Sequence, residues 1–144
     1  MEKQQTYANH VRWYPLFHFT VVPLLLLNLI WQAVLLYQAP GWSQAEAVVF
    51  GLTIILLALA ARLMALRAQD RVIRLEERLR HQRLLESDLA AKGENLPVGE
   101  IIALRFASDE ELPGIVSQVV VGTLKTPKEI KMAVKNWRGD YLRV

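Results

Sequence analysis

Two long apolar stretches dominate the pattern of the chain, and each is long enough to cross a membrane. The first covers residues 13–37 and the second covers residues 45–66. About 20 consecutive apolar residues span the hydrocarbon core of a bilayer. Between the two stretches, Pro40-Gly41 is a strong chain-reversal signal, so residues 38–44 are predicted to form a turn. The pattern therefore predicts an all-α membrane protein built on a two-helix transmembrane hairpin.

The first stretch is predicted to be a retained span and not a cleaved signal peptide. Its apolar run is longer than the roughly 7–15 residues usual in signal peptides, and no small-x-small cleavage site follows it. Because proline lacks a backbone N–H, a kink is expected at Pro23. In the second stretch, Ala47 and Gly51 are four residues apart, a spacing that lets two membrane helices approach closely.

The second span is predicted to continue into the cytoplasm as one helix. After the second span no helix-breaking residue occurs before Gly93. The helix should therefore reach about Leu89 and include the arginine-rich segment 67–90. Acidic residues three or four positions from several of these arginines, such as Glu77 near Arg80, are typical of a solvated helix. Apolar positions at three- and four-residue spacing suggest a short coiled-coil seam: Val72, Leu75 and Leu79.

The remainder, residues 91–144, is predicted to form a small segment of three short helices after a linker at 91–97. The first helix should cover 97–107, and the second should start at Ser108 with Glu111 completing a capping box. Residues 115–121 have β-propensity, so a strand is the alternative for that part.

The third helix of this segment has the clearest start signal in the chain. Thr126 is the predicted N-cap, Pro127 the first helical residue and Glu129 the capping-box partner. On the predicted helix Ile130, Val134 and Trp137 share one face, and the opposite face is basic. That basic face is either a solvated surface or a surface that meets anionic headgroups: Lys128, Lys131 and Lys135, with Arg138 nearby.

Charge then orients the predicted hairpin. The chain is 53% hydrophobic and 22% charged, with a net charge of +3, and no Asp, Glu, Lys or Arg occurs between Arg12 and Glu46 or between Glu46 and Arg62. The turn between the spans has no Lys or Arg, whereas Lys3 and Arg12 precede the first span. By the positive-inside rule both termini should be cytoplasmic, with residues 1–12 forming a cytoplasmic N-terminus. Seven arginines lie at or after the end of the second span: Arg62, Arg67, Arg71, Arg74, Arg78, Arg80 and Arg83.

Three polar side chains fall within or near the first span. Asn28 and Gln32 are four residues apart and share a helical face, and His18 falls near the same face. Such residues serve either as interhelical hydrogen-bonding groups or as part of a transport pathway in an oligomer. Packing is the preferred interpretation. At the membrane surface, Arg62, Arg67 and Arg71 are expected to contact anionic headgroups.

The composition argues against several chemistries. There is no cysteine, which excludes disulfides and thiolate metal sites. The three histidines are scattered, and no nucleophile–base pair or carboxylate dyad is recognisable. We therefore predict no catalytic, metal or cofactor site, and nucleic acid is an improbable partner.

Three segments resemble a known family: His10–His18 at the entry to the first span, Ile102–Pro113, and Lys128–Val144. Together they are similar to a family of small uncharacterised bacterial membrane proteins with two predicted spans. That family more often has proline at the position of Gly139. The resemblance implies the hairpin architecture and a bacterial inner-membrane location, and it implies no activity or site.

These observations lead to one expected function and two alternatives. The protein is expected to be a non-enzymatic accessory or scaffold protein of the inner membrane, acting as a homo-oligomer or within a larger membrane complex. A component of an oligomeric transport or channel assembly is the first alternative. A membrane-tethered nucleic-acid binder that uses the basic terminal helix is the second.

Overall fold

The computed structural model describes residues 5–11 and 13–141, and these residues form two compact units. One unit contains the described residues of Arg12–Leu66. The other contains those of Met1–Val11 together with those of Arg67–Val144. Throughout the described residues the regular structure is helical, and the only β-type pairing is an isolated antiparallel bridge between Ala107 and Trp137.

The first unit contains one long helix and the first part of another. A π-helical turn, Leu16–Val21, leads into helix α1, Val22–Gln38, and helix α2 begins at Trp42. Pro23, where a kink is predicted, lies in the first turn of α1, two residues after this π-helical turn ends. The predicted turn at 38–44 is too long, because only residues 39–41 are non-helical.

Close packing between α1 and α2 occurs at Gly51, as the spacing of Ala47 and Gly51 predicts. Gly51 is buried, and a Cβ placed on it would lie 3.4 Å from Leu29 Cδ1. Most other apolar side chains of the unit point outward. None of the most apolar window of Leu16–Gln38 is buried within the chain, and only 6% of the corresponding window of α2 is buried.

Helix α2 extends from Trp42 to Leu84, so the predicted continuation to Leu89 is wrong. A separate helix, α3, covers Ser87–Glu94 and replaces most of the predicted linker at 91–97. The break brings Gly93 against His81, twelve residues earlier in the chain. A straight helix would hold these two residues about 18 Å apart, so tertiary packing ends α2 here.

Three further short helices complete the second unit. These are α4, Val98–Leu104; α5, Leu112–Val121; and α6, Pro127–Ala133. Residues 115–121 are therefore helical, and the strand alternative is wrong. With α3 included, the segment has four short helices and not the predicted three.

The predicted capping signals are only partly confirmed. Thr126 Oγ1 accepts a hydrogen bond from the Glu129 N–H at 3.2 Å, and Glu129 Oε2 accepts one from the Lys125 N–H at 2.8 Å. Ser108 Oγ accepts from the Glu111 N–H at 3.3 Å, but this bond stabilises a turn, and α5 starts four residues after the predicted position.

The core of the second unit lies between helices α3 to α6. Its larger side chains come from α4, α5 and α6, and Ala90 of α3 and Leu85, which directly follows α2, complete it. Side chains with no exposed surface include Leu104, Leu112, Val116 and Ile130.

Candidate functional site

Arg80 of α2 lies at the centre of a buried ion-pair network in the second unit. Its guanidinium donates hydrogen bonds to Glu77 Oε2 at 3.1 Å, to Asp109 Oδ1 at 2.8 Å and to the carbonyl oxygen of Ala107 at 2.7 Å. Only 3% of Arg80 and 4% of Glu77 is exposed. Because a buried charge is costly unless it is paired, this geometry joins α2 to the segment that follows α4.

Glu77 is shared with a second cation. Arg138 Nη1 lies 3.5 Å from Glu77 Oε1. Burial raises the pKa of Glu77, while the charges of Arg80, Arg138 and Arg105 oppose that shift. Arg105 in turn pairs with Asp140, its Nε lying 3.0 Å from Asp140 Oδ2. The network therefore also holds the end of the described chain against α2.

The sequence placed the pair of Glu77 and Arg80 on a solvated surface, and that prediction is wrong. The signal that would have found them is a second three- and four-residue repeat on α2, flanked by buried apolar residues at Ile73 and Leu85. From the sequence alone, charged residues in such a repeat are expected to face solvent. Nothing in the local sequence shows that Asp109 and the carbonyl oxygen of Ala107 bind Arg80.

A groove of about 630 Å³ opens beside this network. Both positively and negatively charged side chains line this groove. Within residues 5–11 and 13–141, no group of three or more His, Cys, Asp or Glu side chains is placed to hold a metal ion. The charged residues that line the groove are Arg80, Arg83, Arg105, Arg138, Glu76, Glu77 and Asp140.

The N-terminal segment packs on the second unit, a contact that the sequence did not predict. The Gln5 side chain donates from Nε2 to the carbonyl oxygen of Asp140 at 3.1 Å, and its Oε1 accepts from the Asp140 N–H at 3.0 Å. The His10 ring lies 5.8 Å from the Phe106 ring and 5.7 Å from the Trp137 ring. Residues 5–11 and the C-terminal segment therefore form one packed body.

His81 is fully buried next to this network, and neither ring nitrogen has a hydrogen-bond partner. A Cβ placed on Gly93 would lie 3.1 Å from His81 Nδ1, a tight contact that would require the ring to shift. Burial and the charge of Arg80 lower the pKa of His81, with an opposing effect from Glu94. The imidazole is therefore neutral at neutral pH and acts as a packing group.

On the opposite face of α2, three apolar side chains are left exposed by the described residues. Val72, Leu75 and Leu79, the predicted seam, are 55%, 61% and 52% exposed. Their neighbours Ile73 and Glu77, which point the other way, are buried. The predicted apolar stripe therefore faces outward and takes no part in the core of the unit.

The three polar residues singled out in the first predicted span do not form one hydrogen-bonded group. His18 Nδ1 lies 3.0 Å from the carbonyl oxygen of Tyr14, and the His18 ring meets the Trp13 ring edge-on at 4.9 Å. Asn28 is exposed and Gln32 is half-buried. Among the hydrogen bonds of the described residues, none is made by either of these two amide side chains, so the predicted bond between the helices is not formed within one hairpin.

The predicted membrane-surface arginines are found in different settings. The Arg62 guanidinium lies 5.8 Å from the centre of the Phe17 ring. Arg67 and Arg71 are exposed on α2. Lys3 and Arg12, which contributed to the predicted orientation, lie outside the described residues.

The predicted basic face of the terminal helix is wrong in its extent. Helix α6 ends at Ala133, so Lys135 and Arg138 lie beyond it and share no helical face with Lys128 and Lys131. Lys128 is exposed, whereas Lys131 Nζ lies 3.4 Å from His10 Nε2.

The early end of α6 has an identifiable cause in the contacts that follow it. Glu111 Oε2 accepts hydrogen bonds from the N–H groups of Lys135 and Asn136 at 3.2 and 3.1 Å. Trp137 then pairs with Ala107. These bonds draw the chain out of the helical path, and they also remove Val134 and Trp137 from the predicted apolar face of α6.

Comparison with known proteins adds one finding. A family model matches residues 1–144. The chain belongs to DUF6526, a family of unknown function. This confirms the predicted membership of an uncharacterised family along the whole chain. No curated protein and no solved structure matches this DUF6526 chain.

Proposed function

We propose that this DUF6526 protein is a non-enzymatic accessory or scaffold protein of the bacterial inner membrane. Two spans would anchor a small helical unit on the cytoplasmic side. The support begins with Leu16–Gln38 and the first part of α2, whose most apolar windows have mean hydropathies of 2.1 and 2.4. Because almost none of that surface is buried within the chain, it needs an apolar environment from elsewhere. Monomeric soluble proteins rarely expose apolar patches larger than a few hundred Å².

The position of residues 5–11 is the observation that carries the proposal. They pack on the same unit as residues 67–141, with Gln5 bonded at both ends of its amide to the backbone of Asp140. The chain between them therefore leaves that unit and returns to it. A membrane segment that starts and ends on one side crosses the bilayer an even number of times, as a two-helix hairpin does. The arginines after the second span favour the cytoplasm for that side.

The alternative functions have less support. A transport pathway would need the polar groups of the first span to line one route, but His18 is bonded locally to Tyr14. A nucleic-acid surface would need a continuous basic face on the terminal helix, and α6 ends before Lys135. Neither function is favoured by a specific contact.

Fractionation and reporter fusions test the proposal. The full chain should stay with the membranes during alkaline carbonate extraction. A cytoplasm-active reporter fused after Val144 should be active, and a periplasm-active reporter should be active only when it is fused within the turn at 39–41. Release by carbonate would overturn the membrane anchor, and a periplasm-active reporter working at Val144 would overturn the orientation.

A further inference from the structure

We infer that the outward face of α2 from Ala68 to Leu79 pairs with the same face of a second copy, in a parallel and in-register two-helix coiled coil. This inference rests on the proposed function, because insertion of two copies into one bilayer in the same orientation makes their α2 helices parallel. It names a specific partner, a second copy of this chain, for a surface that the fold leaves uncovered.

The geometry of the face matches a coiled-coil seam. Ala68, Val72, Leu75 and Leu79 follow the alternating four- and three-residue spacing of positions d, a, d and a. All four are exposed. The buried residues of this stretch of α2, such as Ile73 and Glu77, occupy positions b and f, which lie away from a seam. The fold therefore covers the outer positions of the repeat and leaves the seam positions free.

Charge complementarity favours a second copy in parallel register. Arg71 occupies position g, and Glu76 occupies position e of the next heptad, five residues later. In a parallel dimer these two positions face each other across the seam, so each dimer has two pairs of Arg71 with Glu76 of the partner. Both side chains are exposed, and neither forms an ion pair within the described part of the chain.

The charges at positions g and e also predict where the pairing of the two helices ends. The next g and e positions hold Arg78 and Arg83, which would repel each other across the seam. Arg78 Nη2 is instead bonded to the carbonyl oxygen of Glu94 at 3.1 Å, and position d after Leu79 is the polar residue Gln82. The seam is therefore short. A seam of this length is marginal for free helices in water, but tethering to one membrane raises the effective concentration of the second copy.

Disulfide cross-linking in native membranes tests this inference cleanly, because the chain has no cysteine of its own. Leu75→Cys places one thiol in the seam, and Thr123→Cys places one at an exposed position far from it in sequence. In inside-out vesicles under mild oxidation, Leu75→Cys should give covalent dimers and Thr123→Cys should not. Adding Glu76→Arg to Leu75→Cys should lower the dimer yield by about threefold to tenfold, since two ion pairs become repulsive contacts. Adding Arg71→Glu as well should restore it.

The outcomes separate this inference from the proposed function. Absence of the protein from the membrane fraction contradicts the proposed function before any cross-linking is attempted. A membrane-bound protein that cross-links equally at both positions, or not at Leu75→Cys, contradicts the seam alone. A dimer yield that is unchanged by Glu76→Arg and by the added Arg71→Glu contradicts the parallel register.

Discussion

The buried network around Arg80 makes a quantitative prediction about the second unit. Arg80→Met keeps much of the aliphatic volume but removes the charge, leaving the Glu77 carboxylate buried with only the longer Arg138 contact of 3.5 Å. Breaking a buried ion pair in this way costs about 3–5 kcal/mol. Amide hydrogen exchange of the full chain in mild detergent reports this loss region by region. Amides in α4 and α5 should exchange roughly 10² to 10⁴ times faster, or lose protection altogether.

Two further variants make the test specific. Arg83→Met removes an exposed arginine three residues further along α2 and should change stability by no more than about 0.5 kcal/mol. The double variant Glu77→Leu/Arg80→Met removes both buried charges and should be more stable than Arg80→Met alone, because no unpaired charge stays behind. An Arg80→Met variant as stable as Arg83→Met, or a double variant that is the least stable of the three, would show that Arg80 does not neutralise a buried Glu77 charge.

Three smaller predictions concern single groups. Because the pKa of His81 is lowered in the folded state, the free energy of unfolding should fall as the pH drops below about 6.5. In urea titrations at pH 7.5 and 5.5, His81→Leu should reduce this change of stability with pH. The same pH dependence in the variant would contradict a buried neutral imidazole. Gly93→Ala should destabilise the unit by about 1–3 kcal/mol because its Cβ meets the His81 ring, whereas Gly114→Ala in α5 has open space and should be neutral or stabilising in thermal melts; equal effects would contradict the packing described here. Asn28→Leu should leave the thermal stability of the detergent-solubilised monomer unchanged, and a clear loss would show that the amide bonds within one hairpin.

Local sequence predicted the elements whose causes are local. The two long apolar helices follow from their apolar composition. The start of α6 follows from Thr126, Pro127 and Glu129, which interact within one helical turn. The uncovered stripe on α2 was also visible as a repeat. The sequence does not reveal that this stripe is exposed, because which face of α2 is covered depends on which other segment packs against the helix.

The remaining features depend on contacts between distant residues, and short-range patterns do not reveal these. Gln5 and Asp140 are 135 residues apart in sequence, and Arg80 finds Asp109 across 29 residues. The end of α2 at Leu84 follows from the packing of Gly93 on His81, since no breaker residue occurs there. An apolar repeat predicts burial only when its partner is in the same chain, and Val72, Leu75 and Leu79 have none among the described residues.

Single-cysteine accessibility tests whether the chain forms a membrane hairpin with the second unit on the cytoplasmic side. Ser43→Cys lies at the start of α2 beside the turn, and Thr123→Cys lies in the second unit, both at exposed positions. A membrane-impermeant maleimide should label Ser43→Cys in intact spheroplasts and Thr123→Cys only in inside-out vesicles. Labelling of both cysteines from the same side, or labelling of Thr123→Cys in intact spheroplasts, would rule out this hairpin topology.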